Sequence, residues 1–276
     1  PVAVFRARGR NARGAQPDIV IRPRATAVFG HDSVAEFYVE TYAAPEQPQP
    51  SAVEALITGD GGFTVFADTV PIVSARQAVR SAVIRVPIAR LGFGALTLCI
   101  TELDSSRRAS APGASTPLLV TFGEGLAVAP FEEMLQYLRY FTTQDRLRSL
   151  RDTTPEGRFR AWDEFLRETD RITATSENEA LREYLDRLSD ANIRFREDNT
   201  SGWLTDRAMV FSTLGEPDNF VFDPSAAAPQ GSRVLVWEYS RYRARFVFVD
   251  PSGQGRWRLT PSSEADYDAV MRRLGR

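Results

Sequence analysis

The chain has 276 residues, 43% hydrophobic and 25% charged, with a net charge of −2; this suits one large globular domain or two ordinary ones, with no overall pull toward nucleic acid. All 34 basic residues are Arg, which excludes a phosphate-loop lysine, a Schiff-base lysine and a Ser–Lys dyad together. Cys99 and His31 are each the single residue of their type, so an internal disulfide and Cys/His ligation of zinc, haem or iron–sulfur clusters are excluded as well.

The chain opens at Pro1 without Met or a basic-then-apolar leader, and a processed or trimmed mature chain is expected, which would suit export. Residues 1–17 carry Arg6, Arg8, Arg10 and Arg13 and no acid. That composition predicts a disordered basic arm.

From Asp18 to about Phe122 the period is two. In "VAEFYVETY", Ala35, Phe37 and Val39 alternate with Val34, Glu36, Tyr38 and Glu40, and in "ALTLCITEL" Leu96, Leu98 and Ile100 alternate with Thr97, Cys99 and Thr101. Both are half-buried strands. "DIVIR", "ATAVF", "VEALIT", "FTVFADTV", "AVIRVPI" and "PLLVTF" read alike, separated by the breakers "APEQPQPS", "GDGG", "LGFG" and "SSRRASAPGAST". Seven or eight short strands so spaced predict an antiparallel β-sandwich of immunoglobulin-like layout over residues 18–123. No apolar run reaches the ~18 residues that a membrane-crossing helix needs.

Beyond "GEGLAVAP" the period becomes 3.6. Pro130 opens a helix carrying Phe131, Met134, Leu135, Leu138 and Phe141, and Thr154-Pro155 opens another with Phe159, Trp162, Phe165 and Leu166. Ser176 and Glu179 form a capping box before a helix that aligns Leu181, Tyr184, Leu185, Leu188, Asn192 and Phe195. Glu183–Arg187 and Asp190–Arg194 are favourable i,i+4 pairs, and "DNTSG" ends the helix. Gly202 then permits a tight turn, Trp203 is apolar enough to be drawn inward, and Thr205 is an N-cap with Asp206 near the helix N-terminus. Gly215 is a C-cap, and Pro217 forbids continuation. The strands "VLVWEY" and "ARFVFVD", the turn "DPSGQG", "RWRL" and a helix from Ser262 to Leu274 complete the chain.

"SENEALREYLDRLSDANIRF", "SGWLTDRAMVFSTLGEPDNF" and "VWEYSRYRARFVFVDPSGQGRWRL", in that order from about Ala161 to Leu259, resemble the GWxTD domain of bacterial proteins. Gly202, Trp203, Thr205 and Asp206 match its GW-x-TD motif, and Gly215, Pro217 and Asp218 match the following G-x-PD. Arg207-Ala208 stands where Arg-Gly is more usual. The β half also resembles the domain that precedes such modules, with Ala95 in place of an aromatic in "GFGALTLCITELDSS". The resemblance implies a mixed architecture: the β-sandwich, then an α+β domain over residues 128–276 with helices leading into a β-meander. It implies an extracytoplasmic location and supplies no reaction or catalytic residue.

Several constellations remain to be weighed. His31, Asp32 and Ser33 are the residue types of a hydrolytic triad, but adjacent residues cannot converge as a triad must, and a turn is expected. Glu132/Glu133, Asp163/Glu164 and Glu177/Glu179 lie beside Arg as solvated helix faces. "DPSGQG" lacks the acidic ladder of a calcium loop. Asp206 and Arg207 are expected to cap and ion-pair within the turn.

Arg241, Tyr242, Arg243 and Arg245 are expected to face Arg256, Trp257 and Arg258 across a hairpin. That composition suits a protein interface, or a charge-blunted strand edge. With the Arg residues of the arm, these are the candidate partner-binding residues; no cofactor, metal or nucleic acid is expected. The reading is a non-enzymatic accessory subunit, periplasmic or otherwise extracytoplasmic, docked onto a membrane-associated complex. A photosynthetic reaction centre–light-harvesting assembly is one such complex, in which a chain with one His would scaffold rather than bind pigment. The alternative is a soluble periplasmic binding or envelope-assembly module, since the order of helix, "LGEPD" and β-meander is similar to small outer-membrane assembly lipoproteins.

Overall fold

The computed structural model describes residues 1–8, 16–22, 25–42, 50–59, 61–72, 80–109, 113–123, 125–170, 178–223 and 232–275. Its strands begin with β1 (Val2–Arg8), β2 (Asp18–Ile21), β3 (Thr26–Val28), β4 (Val34–Thr41), β5 (Ala52–Thr58), β6 (Thr64–Pro71), β7 (Arg80–Pro87), β8 (Gly94–Leu103) and β9 (Ala114–Thr121). They form two sheets, ordered β2-β1-β4-β7 and β3-β9-β8-β5-β6. Each sheet buries one face. Ala35, Phe37, Val39, Ile84 and Val86 come from the first, and Val53, Ile57, Leu98, Ile100, Leu118 and Val120 from the second. The result is the β-sandwich that the period-2 pattern implies. Its pairs are antiparallel except β3 on β9, where Thr26 to Val28 run parallel to Leu119 to Thr121.

The N-terminal segment is not a tail. β1 lies inside the first sheet, paired with β2 and β4, and Val4 is 1% exposed. The expectation of disorder weighed the four Arg and missed that Val2 to Arg8 has a strand available on either side. Paired backbone and one buried valine offset the charge. Arg10, Arg13 and the Ser176 end of the expected capping box lie outside the described residues.

The helices are α1 (Phe131–Met134), α2 (Gln144–Arg151), α3 (Arg158–Thr169), α4 (Glu179–Arg194), α5 (Asp206–Leu214) and α6 (Pro261–Arg273). A second antiparallel system, β10 (Asn219–Asp223), β11 (Arg233–Tyr239), β12 (Ala244–Asp250) and β13 (Arg258–Leu259), runs in sequence order. The expected helix from Pro130 through Phe141 is instead α1 followed by a 3-10 turn at Leu135–Leu138; α2 and β10 went unread.

The chain divides into two compact units, the first Pro1–Phe122, Ala127–Met134 and Asp152–Glu179, the second Gly123–Leu126, Leu135–Arg151 and Ala180–Arg276. In the first, Phe29 follows β3, Phe122 follows β9 and Phe93 precedes β8, so all three rings gather at one end of the strands. Trp162 of α3 packs edge-on against Phe29 and Phe93, with centroids 5.7 and 4.7 Å away, and stacks on Phe165. In the second, α5 is buried nearly all round, through Ala208, Val210, Phe211, Ser212, Thr213 and Leu214. It packs in one core with Trp237, Phe246, Phe248, Leu259 and Tyr267. Its buried Thr213 hydroxyl donates back to the Met209 carbonyl at 2.8 Å, which removes an otherwise unmet donor.

Candidate functional site

The two signature motifs bracket α5. Gly202 rests on the last turn of α4: a Cβ there would collide with the carbonyl oxygens of Asn192 and Ala191, 2.5 Å from the latter. Close backbone approach, rather than a special φ, therefore fixes this glycine. The Trp203 backbone N–H donates to Asn192 Oδ1 at 3.3 Å, and Asn192 Nδ2 donates to the Gly125 carbonyl at 2.8 Å. The Trp203 ring stands edge-on to Tyr137 at 4.8 Å, yet remains half-buried rather than drawn fully inward. Thr205 is the N-cap, accepting from the Ala208 N–H at 3.2 Å while donating to the Gly202 carbonyl at 2.8 Å. Ala208 is thus accommodated in regular helix. Asp206 accepts the Leu259 N–H at 2.8 Å and so ties the helix start to β13.

At the other end of α5, Gly215 takes φ +85°, and its carbonyl accepts from the Tyr239 hydroxyl at 2.8 Å. Burial, then the nearby Glu216 charge, hold that phenol well above its ordinary pKa. Asp218 accepts the Ser240 N–H at 2.6 Å and its own N–H donates to the Glu238 carbonyl at 2.9 Å. Pro217 lies between them. Every polar signature side chain is therefore occupied with backbone.

Arg207 does not pair with Asp206. Its guanidinium lies over Phe195 at 5.1 Å and Trp257 at 5.7 Å and reaches Glu197 at 3.5 Å. Burial lowers the Arg207 pKa, and the Glu197 charge opposes that. Glu197, whose side chain is 2% exposed, also accepts the Trp257 N–H at 3.0 Å and Arg258 Nη1 at 3.2 Å. Arg233 also lies 5.5 Å over the Trp257 ring and pairs with Asp250 at 2.6 Å. Burial would raise the Asp250 pKa, but the bonds from Arg233, the Gly255 N–H at 2.6 Å and Ser252 outweigh it and hold the carboxyl below its ordinary range. The "DPSGQG" turn is thus closed around an acid whose charge Arg233 answers.

The expected hairpin constellation separates. Trp257 is buried, and β13 pairs with β12 at Phe248↔Leu259 and Val249↔Arg258. Arg241 and Tyr242 form a 3-10 turn at the opposite end of β12, about 20 Å along the strand at ~3.3 Å per residue. There Arg243 adopts φ +50°, Arg245 faces Glu238 across the strands at 3.8 Å, and Tyr242 packs against the edge of the core. Arg256 is exposed. Arg6 and Arg8 lie on β1, with Arg6 3.5 Å from Asp18. His31, Asp32 and Ser33 form the turn before β4, where Asp32 accepts the Val28 N–H at 2.7 Å and pairs with Arg22.

Sequence reasoning missed Glu197, Arg233 and Asp250, because no local signal marks an acid that will be buried. It also missed β10, whose Phe220/Phe222 alternation was readable. Among the described residues no group of three His, Cys, Asp or Glu is placed to hold a metal, and no helix is long and apolar enough to cross a membrane.

Residues 116–256, just over half of the chain, match the GWxTD domain family. No curated protein matches the chain. Among solved structures, the fibronectin(III)-like modules of CbhA from Clostridium thermocellum are similar at 17% identity. That likeness covers 36% of this chain and 91% of the other with a TM-score of 0.18, which is too low to carry an argument.

Proposed function

The chain belongs to the GWxTD domain family, and from that premise we propose that it is a non-enzymatic accessory subunit that docks onto a larger membrane-associated complex outside the cytoplasm. One observation supports this above others. Among the described residues, five of the eleven exposed large apolar side chains lie on two edge strands, Val20 and Ile21 on β2 and Phe220, Val221 and Phe222 on β10, and two more, Val2 and Phe5, lie on β1 beside β2. β2 and β10 are edge strands of their sheets. Exposed apolar edges are a hazard that proteins blunt unless a partner covers them, and strand addition from a protein subunit fits them. Arg6 and Arg8 border the first edge. The signature residues, by contrast, are engaged in holding α5.

The test is stoichiometric co-purification from membranes in mild detergent across a salt series. Ile21→Glu and Phe220→Glu alter exposed side chains, so they should keep the fold and lose the partner. Retention of the wild-type chain should persist at high salt, because apolar contacts are not screened. A partner held equally by both variants would overturn the assignment of these edges. Whether the complex is a photosynthetic reaction centre is read from what co-purifies. A second reading, a soluble binding or envelope-assembly module, is favoured by a small cleft in the first unit walled by Phe63, Phe93, Phe131 and Trp162.

A further inference from the structure

Among the described residues, the three sheets end in β2 and β7, in β3 and β6, and in β10 and β13. Proteins protect such edges by shortness, bulges, charge or proline. β3 has three residues and β13 two. β2 has four, and its pairing with β1 shifts register between Val4 and Arg6. β6 carries Asp68 and Pro71, and its pairing with β5 shifts between Ile57 and Thr58. β7 carries Arg80, Arg85 and Pro87. β10 has none of these devices at its centre. It keeps one register over five residues, from Asn219↔Glu238 to Asp223↔Val234, and Phe220, Val221 and Phe222 are 71, 51 and 49% exposed.

Both faces of that strand are apolar. Phe220 and Phe222 stand opposite Trp237 and Leu235 of β11. They therefore share the face of the sheet whose core includes residues of α5 and α6. Phe222 meets Trp257 edge-on, with ring centroids 6.1 Å apart. The two phenyl rings form a margin of that core which stays open on the outer side of β10. On the other face, Val221 stands opposite the buried Val236.

We propose that β10 pairs antiparallel with β10 of a second copy of this chain, about a two-fold axis at Val221. The sequence suits that register. Phe220 of each copy meets Phe222 of the other, so four rings close the open margins of both cores, and Val221 meets its own counterpart. No charged residue lies among these three, so no like charges meet at the centre of the pair. A foreign strand would have to bring matching apolar residues, whereas a second copy carries them already in order. The inference rests on the reading of β10 as a covered edge and names its cover. β2 is left for the complex, which takes up the chain as a pair, so that losing the pair also weakens docking through lost bivalency.

A seam this short makes a small interface, so dissociation in the micromolar range is expected. Sedimentation equilibrium of the purified full chain, from about 1 to 200 µM, should show monomer and dimer in exchange. Phe220→Glu should stay monomeric throughout. Crosslinking reads the register. In a Cys99→Ser background, which removes the single Cys, Val221→Cys sets two thiols across the axis with Cα atoms about 4.5–5.5 Å apart, and it should oxidise to a covalent dimer. The two copies of Asn219→Cys lie four residues apart along the seam, about 13 Å at ~3.3 Å per residue, and should not crosslink. A chain monomeric up to about 200 µM, a dimer undiminished in Phe220→Glu, or equal crosslinking at the two positions would each overturn the proposal. If the chain is monomeric alone and Phe220→Glu still loses the membrane partner, a strand of that partner covers β10: self-pairing falls and the docking reading stands. A register-specific dimer with no co-purifying partner is the reverse result, in which self-pairing stands and docking falls.

Discussion

Removing the Glu197 carboxylate tests how the signature turn is held. The group accepts from the Trp257 N–H and from Arg258 and Arg207. Arg258 is half exposed, so its share is small. The Trp257 bond goes to a buried charged acceptor, a type that contributes about 1.5–3 kcal/mol. Arg207 is the larger consequence: its side chain is 14% exposed, and a cation left there without its partner costs about 3–5 kcal/mol. These terms overlap, so Glu197→Ala should lose about 4 kcal/mol in urea unfolding followed by tryptophan fluorescence. With a shift of roughly 2–4 °C per kcal/mol for a chain of this size, the melting temperature should fall by about 10 °C. Glu197→Gln, which keeps an acceptor for the Trp257 N–H, should lose about half as much. Glu197→Met combined with Arg207→Met should be more stable than Glu197→Ala, because a buried pair replaced by apolar groups leaves no orphaned charge. A loss under about 1 kcal/mol in Glu197→Ala, or a double variant no better than the single one, would refute the claim that this carboxylate anchors the turn.

Gly202→Ala should be recovered poorly or melt far below the wild type, because the new methyl meets backbone carbonyls that cannot move aside as a flexible side chain can; expression and differential scanning fluorimetry check this. Asp250 has a folded pKa below the ~3.9 of an unfolded carboxylate, so its contribution is present above that pH and fades as pH falls through the folded value. Asp250→Asn should therefore be less stable than wild type at pH 7, and the two should converge below about pH 4 in urea titrations repeated across pH. Deleting residues 1–8 should unfold the first unit, since β1 lies between β2 and β4, and the loss should be visible as collapsed β circular dichroism.

The sandwich and the helices were legible because their cores repeat. Every second residue of β4 or β8 and every third or fourth of α4 is apolar, and burial follows that period. The caps were legible for the same local reason: Thr205 and Gly215 act within four residues of themselves. What stayed hidden depends on distant partners. β1 is a strand only because β2 and β4 stand on either side of it. Arg194 was read as the partner of Asp190, one turn away, yet its guanidinium bonds Glu216, 22 residues on. Trp203, placed inside by its composition, is only half-buried, its ring edge-on to Tyr137 from a distant segment.

The arginine–aromatic run around Trp257 shows how composition can point to the wrong surface. Arg, Tyr and Trp mark interface centres when they stand exposed, but here Arg207 and Arg233 both lie over a buried indole, each with a buried carboxylate as counter-charge. The charges of such a cluster are already paired and buried, and have little left to offer a partner. The apolar side chains of β2 and β10 are in the opposite state: they belong to regular strands, and no described element covers their outer edge. Any partner gains more by covering Ile21 and Phe220, at about 25 cal/mol for each Å² removed from water, than by competing for guanidinium groups that Glu197 and Asp250 already hold. Docking that rests on those edges should therefore survive salt that would strip an arginine-mediated contact.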